Sequence, residues 1–186
     1  MHKLMRLNLI LKRTHLWLLA CAMVLGAQGI AFGATTESAV KAGFVYNFTK
    51  FIDWPASTDE SITYNLCVAG ESKLSDSLDA LEGKLVGNKP LNIQRNVSEA
   101  NLKDCHMVFI VAASDAHIQS LLQQVGTLPI VTVSDSPDFI LKGGMIGLIR
   151  DGNRVGFEVN LKTAGAAGLR MSAQLLKLAK SVKGLK

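Results

Sequence analysis

The sequence lacks the short motifs that mark many catalytic sites. It contains no Gly-x-Ser-x-Gly nucleophile elbow, no His-Glu-x-x-His zinc motif and no recognisable pair of catalytic carboxylates. The stretch Gly144–Gly147 resembles the end of a dinucleotide-binding fingerprint, but Lys142 stands at the first glycine position and the segment leads into a predicted strand. We therefore predict that the protein is not an enzyme and that it holds no cofactor.

Histidine and cysteine are scarce as well, with four and three residues respectively. Beyond residue 33 there remain His106, His117, Cys67 and Cys105, whose spacing does not match a zinc site, so we predict no metal. His117 is predicted on a helix surface. His106 begins a predicted core strand, where a structural role is favoured because no nucleophile accompanies it.

The N-terminal apolar stretch is short. It runs from Leu16 to Leu25, after a start with four basic and no acidic residues, and small residues follow it. A membrane-spanning helix needs about 20 apolar residues. The layout is typical of a secretory signal peptide that is cut after Gly33. An uncleaved anchor and a lipoprotein signal at Cys21 are the alternatives, and all three interpretations imply export through the inner membrane.

The expected mature chain has little net charge and no internal division. Removing four of the 20 basic residues and none of the 15 acidic ones leaves a net charge of +1, so nucleic-acid binding has no electrostatic support. The sequence has no repeat, low-complexity tract or Pro/Ser-rich linker. We predict a signal peptide over residues 1–33 and one periplasmic domain over residues 34–186, large enough for a full hydrophobic core.

Cys67 and Cys105 each adjoin an apolar run. If the two runs are neighbouring strands, a disulfide bond would join them, and an oxidising compartment favours that bond. Closing a loop of about 39 residues would contribute roughly 4 kcal/mol in the chain-entropy model. Two buried free thiols are the alternative.

Apolar periodicity predicts the secondary structure. Val40, Phe44, Phe48 and Phe51 share one face of a first helix over residues 37–53, which ends before Pro55. The next predicted elements are a strand over 62–69, a short helix over 72–81, a hairpin that turns at Gly87-Asn88 into Pro90–Arg95, a central strand over 106–113, a helix over 115–125 and a strand over 129–134.

The C-terminal part is predicted to contain a hairpin and a long helix. Asp151-Gly152-Asn153 is a strong turn between arms over 145–150 and 154–160. The final helix is expected over 162–182, with a core stripe made of Met171, Leu175, Leu178 and Val182. Alternating strands and helices imply a parallel sheet, to which hairpins add antiparallel strands. We expect a single α/β domain with a mixed, mostly parallel sheet, helices on both faces and a C-terminal β-hairpin plus helix.

Seven segments, in their order and spacing, resemble the YfiR family over nearly all of the expected mature chain. They are Phe44–Pro55, Leu66-Cys67-Val68, Asp104-Cys105-His106, Thr132–Asp135, Gly143–Leu148, Asn153–Leu161 and Leu175–Ala179. The resemblance implies a periplasmic, often dimeric domain whose best-understood member represses an inner-membrane diguanylate cyclase. An outer-membrane lipoprotein sequesters that repressor, and cyclic di-GMP, adhesion and biofilm respond.

The resemblance also bears on the cysteines. Cys67 and Cys105 match one disulfide of the family, which favours that pairing here. The positions of a second family disulfide hold Phe139 and Ile146, so the resemblance implies apolar packing in its place.

Four residues are candidates for contact with a partner or ligand. Trp54 lies beside Pro55, where a core role is favoured over an anchor. Arg150 and Arg154 flank the hairpin turn and suit an anion or an acidic partner, with a solvated tip as the equal alternative. Arg170 could reach a small ligand or simply be exposed. Two functions are weighed: a regulator that binds and represses an inner-membrane signalling partner, and a periplasmic small-molecule sensor that feeds a membrane receptor or kinase.

Overall fold

The computed structural model describes residues 36–56, 61–111 and 114–184, which belong to one compact unit. The expected signal peptide, residues 1–33, lies outside the described residues. The helices are α1 Glu37–Phe48, α2 Lys73–Asp79, a 3₁₀ helix Glu99–Asp104, α3 Asp115–Val125, α4 Leu161–Ala166 and α5 Ala173–Leu178. The strands are β1 Ile52–Asp53, β2 Tyr64–Ala69, β3 Leu85–Val86, β4 Lys89–Arg95, β5 Met107–Ile110, β6 Val131–Ser134, β7 Ile146–Asp151, β8 Arg154–Asn160, β9 Arg170–Met171 and β10 Ser181–Lys183.

Eight of these strands form one mixed sheet in the order β10-β8-β7-β6-β5-β2-β4-β3. The run from β7 through β6, β5 and β2 to β4 is parallel, and the hairpins β3–β4 and β7–β8 add antiparallel pairs. The expected mixed, mostly parallel α/β sheet is therefore confirmed. A separate two-stranded ribbon pairs β1 with β9.

Alternate residues of the central strands enter two cores on opposite faces of the sheet. Leu66 and Val68 belong to the larger core, to which α1, α2, α4 and α5 contribute. Cys67 and Ala69 belong to the smaller core, to which α3 and the 3₁₀ helix contribute. This division follows from the period of two along a strand. Helices therefore cover both faces, as predicted.

The first helix is shorter than predicted, and the expectation that it continues to residue 53 is wrong. Thr36 begins α1 by accepting a hydrogen bond from the Ala39 N–H, and the helix ends at Phe48. Residues 52–53 form β1, because they pair with β9 from the other end of the chain. A long-range pairing has here replaced the local helical preference.

The predicted helix over 162–182 is also wrong, because the segment contains α4, β9, α5 and β10. Gly168 has a φ of +72°, a left-handed conformation that follows the end of α4 and that glycine adopts without strain. Beyond it the backbone pairs with β1 and then with β8. Leu175 of the predicted stripe is buried, whereas Leu178 is 71% exposed.

A disulfide bond joins Cys67 and Cys105, with 5.8 Å between the two Cα atoms. β2 and β5 are neighbouring parallel strands, and Cys105 lies two residues before β5 begins. The predicted bond is thus confirmed. Phe139 and Ile146 are both buried, Phe139 in the smaller core and Ile146 in the larger one.

Candidate functional site

Two concave surfaces contain the residues proposed from the sequence. The first, here called the aromatic cleft, has a volume of about 930 Å³. It lies where the β1–β9 ribbon, the β3–β4 turn and the starts of β2 and β5 meet. Its lining residues include Lys50, Asp53, Trp54, Tyr64, Lys89, His106 and Arg170.

Three rings form the floor of the aromatic cleft. The Trp54 and Tyr64 rings meet edge to face with centroids 5.1 Å apart, and the Tyr64 ring stacks on His106 at 4.9 Å. Such contacts are each worth about 0.5–1.5 kcal/mol beyond the buried area. The Trp54 Nε1–H donates to the His106 backbone carbonyl at 3.2 Å. The preference for Trp54 as a core residue agrees with these contacts, although one side of the ring borders the cleft.

Backbone pairing fixes the His106 ring. Its Nδ1 accepts a hydrogen bond from the Asn65 N–H at 3.0 Å, and the His106 N–H donates to the Asn65 carbonyl. In the neutral ring this bond places the proton on Nε2. These bonds join the starts of β2 and β5, so His106 has the structural role that the sequence favoured.

The Tyr64 hydroxyl is buried, and no hydrogen-bond partner for it exists among the residues that the structure describes. Burial raises the pKa of this hydroxyl well above its ordinary value of 10.0, so the group stays protonated and remains a hydrogen-bond donor. A buried polar group without a partner costs about 1–3 kcal/mol. Buried side-chain polar groups without a partner are uncommon in folded proteins.

The rim of the aromatic cleft carries more positive than negative residues. Lys50, Lys89 and Arg170 face one acidic lining residue, Asp53, which lies opposite Arg170 in the β1–β9 register. The Lys50 ammonium also lies 4.3 Å from the centroid of the Tyr46 ring, a cation–π contact. The rim therefore favours an anionic ligand group.

The second surface, here called the hairpin groove, has a volume of about 530 Å³. The first turns of α1 and the β7–β8 hairpin form its walls. Its lining residues are Glu37, Val40, Phe44, Arg150, Asn153, Arg154 and Val155.

Ion pairs tie the two walls of the hairpin groove together. Glu37 accepts from Lys41 Nζ at 3.0 Å and also from Arg150. These partners, Lys41 first, hold the pKa of Glu37 below its ordinary value of 4.5. Lys41 in turn donates to Asp135 at 2.9 Å. Glu37 is therefore ionised at neutral pH, and its carboxylate binds both Lys41 and Arg150.

The structure thus sorts the four sequence candidates into pairs. Trp54 and Arg170 line the aromatic cleft, and Arg150 and Arg154 line the hairpin groove. Their role as contacts stays a prediction. Sequence reasoning missed Tyr64 as a cleft residue, because a tyrosine inside the predicted strand over 62–69 carries no pattern that distinguishes a cleft residue from a core residue.

Sequence reasoning also missed the α1 side of the hairpin groove. The sequence pattern predicts Val40 on the core face of the helix, but Val40 is 36% exposed, and Ala42 and Val45 are buried instead. Among the residues described, no group of three histidine, cysteine or acidic side chains is placed to hold a metal ion. No helix within the described ranges is both long and apolar enough to cross a membrane.

The sheet, its two cores and the Cys67–Cys105 disulfide define a one-domain α/β protein. The chain belongs to the YfiR/HmsC-like family, which matches residues 38–180. This family is periplasmic and regulatory rather than catalytic. The match includes every lining residue named above except Glu37.

A solved structure shares the fold. It is the crystal structure of a conserved domain protein from Vibrio cholerae O1 biovar El Tor strain N16961, with a TM-score of 0.54 and 9% sequence identity. The similarity covers 76% of this chain and 60% of that chain. At this identity the similarity supports the fold alone.

Proposed function

We propose that this protein is a periplasmic regulator that binds and represses an inner-membrane diguanylate cyclase. Membership of the YfiR/HmsC-like family over residues 38–180 carries the proposal, because the family is regulatory. Through the cyclase the protein would control cyclic di-GMP and biofilm formation. An outer-membrane lipoprotein that sequesters the regulator and a homodimer of the chain are part of the same proposal.

Export of the chain is a necessary part of this function. We propose that residues 1–33 direct the protein through the inner membrane and are then removed. The Cys67–Cys105 disulfide supports this, because such bonds persist in the periplasm and are rare in the reducing cytosol. The periplasmic location of the family agrees with it.

Regulation by surface recognition also agrees with the hydrogen bonds that two polar groups of the aromatic cleft form with the backbone. His106 Nδ1 is occupied by the Asn65 N–H, and the Trp54 indole N–H is occupied by the His106 carbonyl. Both bonds hold strands in place, so these atoms support the fold and are not presented to a substrate.

Deletion of the gene tests the proposal in a strain that carries the cognate cyclase. We expect cellular cyclic di-GMP to rise, as measured by mass spectrometry of nucleotide extracts. The full chain supplied in trans should restore the original level, whereas a version without residues 1–33 should not, because it stays in the cytosol. Unchanged cyclic di-GMP in the deletion strain would refute repression of a cyclase.

A second candidate function is a small-molecule sensor that feeds another membrane receptor or kinase. The aromatic cleft supports it, because a ring floor and a cationic rim suit a small planar anion. Trp54 is the only tryptophan after residue 33, so its fluorescence reports on the cleft directly.

A metabolite screen distinguishes the sensor from a pure docking protein. A ligand should raise the melting temperature of the purified exported protein and change the Trp54 emission, and Arg170→Gln should weaken both effects. Lys177→Gln, which removes an exposed charge outside the cleft, should leave both effects unchanged. A screen in which no metabolite shifts melting or emission would remove this candidate and leave the regulator proposal untouched.

A further inference from the structure

The hairpin groove has an apolar floor that is anchored to the core. The Phe44 ring lies 5.7 Å from Phe157 and 6.1 Å from Phe48, both of which are buried. Val40, one turn earlier, is 36% exposed, and Val155 from the hairpin is half-buried. Apolar side chains that remain exposed next to one another over a fixed base are typical of a contact surface.

The ionic environment of this floor is positive. Arg154 forms no ion pair with any residue in the described ranges, and Arg150 is 70% exposed although it contacts Glu37. Glu37 and Asp135 together balance the charges of Lys41 and Arg150. Asp151 binds Lys180 at 3.0 Å, so Arg154 carries the net positive charge of the groove. An incoming anionic group therefore meets one uncompensated arginine, Arg154, beside the exposed Arg150.

We propose that the hairpin groove is the docking site for an acidic segment of a partner protein. One apolar side chain of that segment contacts Val40, Phe44 and Val155, and flanking carboxylates pair with Arg150 and Arg154. The guanidinium fork matches a carboxylate with two parallel hydrogen bonds, which accounts for arginine at both positions. Recognition of acidic motifs by paired arginines is a known mode of peptide binding. The identity of the partner as a membrane cyclase rests on the proposed function, but the groove chemistry does not.

A labelled peptide tests this chemistry directly. The probe is fluorescein-labelled Gly-Glu-Asp-Phe-Asp-Glu-Gly, titrated with the exported protein purified from a periplasm and followed by fluorescence anisotropy. Saturable binding is expected, and it should weaken strongly at about 1 M salt, where the Debye length falls to about 3 Å. A peptide with glutamine and asparagine in place of the acids, and another with glycine in place of phenylalanine, should each bind about tenfold more weakly.

Variants locate the binding. Arg150→Gln combined with Arg154→Gln should weaken the acidic peptide about tenfold. Lys103→Gln combined with Lys177→Gln removes the same charge from exposed positions elsewhere and should leave binding unchanged. Val155→Asp should also weaken it, and circular dichroism with thermal melting confirms that each variant is folded.

Several results would overturn the proposal. One is that the acidic peptide shows no saturable binding, or that its uncharged version binds equally well. Another is that the double arginine variant binds the peptide with wild-type affinity. A third is that the protein binds vesicles that contain phosphatidylglycerol more tightly than the peptide, in a way that requires the two arginines. The gene-deletion measurement distinguishes failure of the groove proposal from failure of the proposed cyclase repression. Raised cyclic di-GMP after deletion, with full restoration by the arginine variant, refutes the groove alone. Peptide binding with unchanged cyclic di-GMP refutes the cyclase proposal alone.

Discussion

The indole N–H of Trp54 donates a hydrogen bond to the backbone carbonyl of His106, which also accepts from the Val131 N–H at 3.0 Å. One carbonyl thus joins the end of the first ribbon strand to the starts of β5 and β6. Through this bond the Trp54 ring is held over Tyr64, and the aromatic cleft acquires a fixed floor.

Tyr64→Phe should leave the protein as stable as the wild type or more stable, by up to about 1–3 kcal/mol. The substitution removes a buried hydroxyl that has no partner among the described residues, and with it the desolvation cost. Urea denaturation of the two proteins measures the difference. Tyr46→Phe is the matched control: its hydroxyl donates to the Leu85 carbonyl at 2.8 Å, so its loss should cost about 1 kcal/mol. A clear loss of stability in Tyr64→Phe would mean that the hydroxyl binds a partner in solution.

Replacing Cys67 and Cys105 with alanine should lower the free energy of unfolding by about 4 kcal/mol, because the bond closes a long loop of the unfolded chain. Denaturant titration with and without a reducing agent measures this. The reductant should destabilise the wild type and have no effect on the double variant. Equal stability of the oxidised and reduced wild type would contradict the expectation.

Gly144→Ala should destabilise the protein by about 1–3 kcal/mol. A Cβ at this position overlaps the Phe139 ring, which is buried in the smaller core. Thermal melting gives the change, and Phe139→Leu in the same chain should recover part of it. Gly165→Ala provides the control, because its Cβ meets no atom within 4 Å and alanine favours the helix α4. Similar melting temperatures for the two single variants would rule out the steric explanation.

Glu37→Gln should reduce stability at neutral pH and have no effect in acid. Lys41 and Arg150 hold the pKa of Glu37 below its ordinary value of 4.5 in the folded protein. A depressed folded pKa stabilises the protein above the unfolded pKa, and this contribution is lost as the pH falls through the folded value. Melting of both proteins between about pH 3 and pH 7 tests this, with a gap that should close towards acid. An equal difference in melting temperature between the two proteins at about pH 3 and at pH 7 would contradict this pH dependence.

Several elements could be predicted from the sequence because their causes are local. Helix α3 has the predicted bounds, since Ser114 caps it and its apolar residues follow a helical period. Both hairpins turn where glycine is adjacent in sequence to asparagine or aspartate, at Gly87-Asn88 and at Asp151-Gly152-Asn153. The buried run Met107–Ile110 is a central strand, as its continuous apolar character indicates.

The ends of the first and last predicted helices could not be predicted, because they depend on pairing with strands that are remote in the chain. Residues 52–53 leave the helical pattern to pair with Arg170 and Met171, and residues 181–183 leave theirs to pair with β8. Each pairing gains backbone hydrogen bonds that no local pattern reports. The β1–β9 pairing also places Arg170 in the aromatic cleft with Trp54.

The sequence by itself therefore determined the order of most strands and helices, the two turns, the cysteine pair and the family, because these depend on the spacing of neighbouring residues. Only the tertiary structure decided which distant side chains share a surface. Trp54 and Arg170 line one cleft, and Val40 and Arg154 line one groove. Strand pairing and helix packing bring them there, and the free energy of both arises from contacts between segments remote in the chain.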